Sequence, residues 1–191
     1  MPSLNDEQMP HVTSGVERFL MNPDGNADGM ILLNGVEVYF APYLSSAVLT
    51  AVQVGDRITV YGVLPMAEPM IVAVVIEAAN GERIEDGGLP TRMWPGMEAG
   101  RRIKQRERSR LQVEALVRRI LHGPKGEARG VLLDDGTTVL LPFDRGEDFC
   151  ELLSPASWLT VRGAGLVTEI GTAIEADEIG RSAGAMRVLQ H

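Results

Sequence analysis

The stretch PDGNADGMILLNGVEVYFAP, residues 23–42, returns almost in register as PKGEARGVLLDDGTTVLLP, residues 124–142. Each copy reads as a β-hairpin. Asn34-Gly35 in the first copy and Asp135-Gly136 in the second separate β-rich runs. Such dipeptides are the strongest short-range hairpin signal, because both residues tolerate positive φ. The preceding Asn22-Pro23-Asp24-Gly25 is turn chemistry, with Pro fixing φ early and Gly accepting a backbone that a side chain opposes.

Outward from the hairpin, the apolar patterning predicts a strand over Val12–Leu20, a short helix over Ser45–Val52, and strands over Arg57–Tyr61 and Met70–Glu77. The second half repeats this order: strand one over Val113–Leu121, the hairpin, a helix over Glu147–Leu153, and strands over Trp158–Arg162 and Thr172–Ile179. Identical residues recur at a constant offset of 101, among them Val16/Val117, Gly29/Gly130, Gly35/Gly136, Val38/Val139 and Gly62/Gly163. Self-similarity at a fixed period is the mark of a duplicated structural unit.

Three strands, a helix and two strands, with glycines at strand ends, resemble the OB-fold, a five-stranded barrel whose better-known members bind oligonucleotides or oligosaccharides. The sequence is also similar to bacterial two-repeat proteins with a GPKGExxGVLLxDGT-like hairpin. The resemblance implies an all-β protein with minor α: two tandem five-stranded OB-like barrels, one over residues 12–84 and one over 111–180, joined by a connector at 85–110. It implies a binding role and leaves the ligand open.

Composition narrows the classes. The 191-residue chain is 45% hydrophobic, enough for folded cores. Its single Cys150 excludes an internal disulfide and reads as a small buried apolar residue, and His11, His122 and His191 lie too far apart for a metal-ligand spacing. No segment reaches the roughly 18 apolar residues of a membrane helix. The richest run, Met70–Ile76, is strand-sized, and the acidic lead-in lacks a signal-peptide core. The expectation is a cytoplasmic protein with no membrane partner.

No nucleophile elbow, Walker loop, dinucleotide fingerprint or His–acid pairing points to an enzyme or a cofactor. Asp24, Asp28, Asp134 and Asp135 sit at turns, where carboxylates satisfy local backbone donors. Gly123-Pro124-Lys125-Gly126 has the look of a phosphate cradle, but the first copy has Asp24 where the second has Lys125, so turn geometry is the simpler account.

Charge is segregated. The net charge is −8, yet residues 89–110 hold seven basic and two acidic side chains between two acidic bodies. Arg101, Arg102, Lys104, Arg106, Arg108 and Arg110, continued by Arg118, Arg119, Lys125 and Arg129, define a candidate phosphate-binding track for single-stranded DNA or RNA. Tyr39, Trp94 and Phe143 are the candidate stacking groups. The alternative is that alternating Arg and Glu form a solvated helix, or that the connector docks on the acidic first barrel.

Strict alternation makes Met30/Val131, Leu32/Leu133, Val38/Val139 and Phe40/Leu141 inward and leaves Ile31, Tyr39, Leu132 and Leu140 outward. These four form the candidate surface for a protein partner, the rival to nucleic acid. Packing of the barrels on each other, or on a second copy of the chain, is the further reading of the same face.

Overall fold

The structure, a computed structural model, describes residues 9–65, 69–87, 107–123, 127–142 and 149–189. The chain forms two compact units, one from the described residues of Met1–Leu20 and Asn26–Ile103, the other from those of Met21–Gly25 and Lys104–His191.

The first unit is built from β1 (His11–Met21), β2 (Ala27–Leu32), β3 (Glu37–Tyr39), α1 (Ser45–Ala51), β4 (Arg57–Val63), β5 (Met70–Glu77) and β6 (Arg83–Glu85). The sheet order is β3-β2-β1-β4-β5-β6, and a parallel β3–β5 pairing closes five strands into a barrel. The second unit has β7 (Ser109–His122), β8 (Ala128–Leu133), β9 (Thr138–Leu140), α2 (Cys150–Leu153), β10 (Trp158–Val167), β11 (Thr172–Gly180) and β12 (Met186–Val188). Parallel β9–β11 pairing closes it in the same way. Each unit is therefore a closed five-stranded barrel of OB-like topology with one extra strand.

The hairpin turns differ from the two-residue form expected for Asn-Gly. Gly35 N–H donates to Leu32 O at 2.8 Å and Leu32 N–H to Val36 O at 3.0 Å, so the loop has three residues. Only its last has positive φ, Gly35 at 86° and Gly136 at 91°. This is a type I turn followed by a glycine bulge, the three-residue solution to the strand twist.

The barrel interiors follow the alternation. In the second unit Val117, Val131, Leu133, Val139, Leu159, Val161 and Ile174 form one buried cluster. Their counterparts Val16, Met30, Leu32, Val38, Ile58, Val60 and Ile71 are buried in the first. Glycine is required where β4 meets β5 and β10 meets β11: a Cβ on Gly62 would lie 1.9 Å from Val72 O, and one on Gly163 1.9 Å from Glu175 O. Both glycines sit at a register shift. There the partner strand gains one unpaired residue, a β-bulge that changes which side chains face out. The offset between copies is 101 up to this point, as in Val60/Val161, and 103 after it, as in Ile71/Ile174. The second copy thus carries two more residues between its fourth and fifth strands.

The sixth strands were not anticipated. The β5–β6 connection has its own Asn80-Gly81, with Gly81 at φ 82° and Gly81 N–H donating to Ala78 O at 2.9 Å. The signal that marked the first hairpin was thus present here too. The tail beyond Gly180 has no such dipeptide, yet β12 pairs with β11 at Glu178↔Val188 as β6 pairs with β5 at Val75↔Glu85.

Candidate nucleic-acid interface

Of the ten cationic residues singled out from sequence, Arg101, Arg102, Lys104, Arg106 and Lys125 lie outside the described residues, as do Trp94 and Phe143. The other five do not form one cluster. Arg108 immediately precedes β7, Arg110 is its second residue and Arg118 lies near its end, so Arg110 and Arg118 are about 26 Å apart along an extended strand. Arg118 is exposed, while Arg119 and Arg129 are half-buried. All three are already engaged within the chain.

Arg108 and Arg110 are held by carboxylates. Arg108 donates through one terminal nitrogen to Glu175 and through the other to Asp24. Asp24 belongs to the Met21–Gly25 turn that clusters with the second unit. Burial works against the Arg108 charge, but the hydrogen bonds to Asp24 and Glu175, and their charges, outweigh it and raise its pKa above the ordinary arginine value. Arg110 reaches Asp177 at 3.1 Å and Glu178 at 3.4 Å. Arg162, which sequence reasoning did not single out, donates to Glu178 at 2.8 Å and to Gln112 at 2.8 Å.

The bulge explains this arrangement. Arg162 pairs with Glu178 and Gly163 with Ala176, leaving Asp177 as the extra residue. Without the bulge, Asp177 and Glu178 would point to opposite faces of β11. With it, both reach the arginines of the outer face. Period-2 reading of β11 could not have found this, because the shift lies in the pairing rather than in the strand's own pattern.

The proposed partner surface is corrected. Ile31 and Leu132 are fully buried at 0% exposure and Tyr39 at 4%, and Leu140 is half-buried. Alternation does place Leu132 outside the barrel's core cluster, but says nothing about whether that face is covered, and here it is. Tyr39 is also unavailable for stacking; its hydroxyl donates to Glu37 Oε2 at 3.3 Å, and Glu37 is itself buried. Exposed apolar side chains include Leu33 in the first hairpin loop, Val63 and Leu64 at the β4–β5 connection, Val167 and Ile170 at the β10–β11 connection, and Trp158 at the start of β10.

Of the carboxylates expected to serve turns, Asp135 does so, its Oδ1 accepting from Thr137 N–H at 2.8 Å. Asp134 Oδ1 instead accepts from Leu116 N–H of β7 at 3.1 Å, Asp24 holds Arg108, and Asp28 is buried within β2. Gly123 N–H donates to Glu127 O at 2.8 Å, so that donor is not turned toward an anion. Among the described residues no group of three or more His, Cys, Asp or Glu is placed to hold a metal ion, and no helix is long and apolar enough to cross a membrane.

No protein-family model matches the chain and no curated protein matches it. Among solved structures it is similar to the wild-type single-stranded DNA binding protein from Thermus aquaticus, at 14% identity over 91% of each chain with a TM-score of 0.28. A deletion mutant of that protein matches at 14% identity over 90% of this chain and 92% of that one, with a TM-score of 0.29. The strand pairing described above, rather than this likeness, defines the fold as a tandem OB-like pair of barrels.

Proposed function

We propose that the protein binds single-stranded nucleic acid, with the basic segment 89–110 supplying phosphate contacts and the second barrel, whose first strand continues from it, supplying the folded support. The observation that carries this reading is the charge segregation: seven basic and two acidic side chains in one short segment of a chain whose net charge is −8. A cationic segment of this kind gains free energy from releasing counterions condensed on a phosphate backbone, whatever the base sequence. The OB-like fold adds a prior for ligand binding without naming the ligand. The route differs from the one in which bases stack on the hairpin face, because Ile31, Tyr39 and Leu132 are covered.

The test is fluorescence anisotropy of labelled single-stranded DNA and RNA oligomers, with duplex DNA as comparison, at about 50 mM salt, where counterion release favours binding. Binding that weakens steeply as salt is raised is expected. Absence of binding to either single strand at that salt sinks the proposal.

A further inference from the structure

On the outer face of the second barrel Arg108, Arg110 and Arg162 are each met by carboxylates: Asp24 and Glu175 at Arg108, Asp177 and Glu178 at Arg110, and Glu178 at Arg162. The remaining polar neighbours are Gln112, which accepts from Arg162, and Glu114, exposed two residues further along β7. This network belongs to the second copy alone. The first copy has Val74 and Val75 where the bulge of the second has Asp177 and Glu178, and Tyr61 and His11 where the second has Arg162 and Gln112. The bulge was retained, while its side chains and those facing it changed together.

Arg110 is well exposed, at 60%, while Arg108 and Arg162 are half-buried. An exposed pair contributes a median of about 0–1 kcal/mol, so the Arg110 pairs are the most readily given up, and a guanidinium binds carboxylate and phosphate oxygens by the same fork geometry. We infer that Arg108, Arg110 and Arg162 form a phosphodiester-binding row on the second barrel and that the β11 carboxylates Glu175, Asp177 and Glu178 occupy it as internal competitors. The inference rests on the nucleic-acid reading above and adds to it a site, a further residue and a restraint on affinity. A bound strand displaces the carboxylates from the arginines, and no covalent step is involved. While the pairs are closed, the row contributes little to the salt dependence of binding.

The experiment compares two variants of the full chain that change net charge equally. One neutralises the paired acids, Glu175→Gln, Asp177→Asn and Glu178→Gln; the other neutralises Glu82→Gln, Glu151→Gln and Glu169→Gln, exposed acids outside the network. Affinity for a labelled oligothymidine is measured across a salt series. The paired set should steepen the slope of log K against log salt by about 1.4, since Arg110 and Arg162 are freed and count about 0.7 each on a single strand while Arg108 keeps Asp24, and should tighten binding about tenfold at low salt. The unpaired set should leave the slope unchanged. Equal slopes for the two sets overturn the inference, whereas absence of binding by the unaltered protein and both variants sinks the nucleic-acid reading itself. If the triple variant does not fold, Asp177→Asn with Glu178→Gln, which leaves the Arg108–Glu175 pair in place, should steepen the slope by about 1.4, and an unchanged slope there overturns the inference equally.

Discussion

The two barrels are the same fold carrying different surfaces, and the positions at which they agree separate what builds the barrel from what uses it. They agree at Gly62 and Gly163, where the opposing carbonyl leaves no room for a Cβ, and at Gly35 and Gly136, where the hairpin loop needs positive φ. They agree in burying apolar side chains at the matched inward positions, such as Val16 and Val117 or Met30 and Val131. They differ on the outside, where the first presents His11 against Tyr61 and the second Gln112 against Arg162. In the first, Arg83 also lies over the Tyr61 ring at 5.8 Å. Duplication fixed the backbone and released the face.

The largest effects should fall on the shared positions and be alike in both copies. Gly62→Ala and Gly163→Ala each force a Cβ against a carbonyl oxygen, and each should cost about 3 kcal/mol or more in denaturant unfolding. A small effect in one copy alone would show that its bulge can open, which would break the equivalence.

Next come the residues once assigned to a partner surface. Ile31→Ala and Leu132→Ala should each cost about 3 kcal/mol, as for any buried aliphatic, while Leu33→Ala, at 67% exposure, should change stability by less than about 0.5 kcal/mol. Near-neutral behaviour of Ile31→Ala and Leu132→Ala would reopen that face for a ligand.

A smaller and opposite pair sharpens the comparison at one site. Gly55 has φ 95° and its counterpart Ala156 has φ 64°, and each donates its N–H to the equivalent strand-one carbonyl, Val16 O at 2.8 Å and Val117 O at 2.7 Å. A Cβ on Gly55 meets nothing within 4 Å, so only backbone strain separates the two residues. Ala156→Gly should stabilise and Gly55→Ala destabilise, each by about 1 kcal/mol, in paired unfolding curves. A small effect is also expected at Arg83→Ala, which removes its exposed ion pairs to Glu77 and Glu85 and its contact over the Tyr61 ring and should shift stability by under about 1 kcal/mol.

Much of the fold was legible because its signals are local or repeated. The Asn-Gly and Asp-Gly dipeptides, the period-2 apolar runs and the constant offset placed ten strands and two helices near where they lie. The three-residue strands β6 and β12 were missed because three residues cannot display a period, although Asn80-Gly81 announced the first of them. The candidate site was less legible. Alternation assigns a side chain to a face but not to solvent, so Ile31, Tyr39 and Leu132 could be placed outside the core while an open and a covered face stayed equally compatible with the sequence. The partners of Arg108, Arg110 and Arg162 depend on a turn 84 residues before Arg108 and on a bulge in β11, neither of which a linear charge count contains.

The nucleic-acid reading places the phosphate contacts first in the basic segment, and one measurement addresses that directly. Arg101, Arg102, Lys104 and Arg106 replaced together by Gln should leave the unfolding transition in place and lower the salt slope of oligothymidine binding by about 3, four cations at about 0.7 each. An unchanged slope, with the protein folded and still binding, would contradict the account.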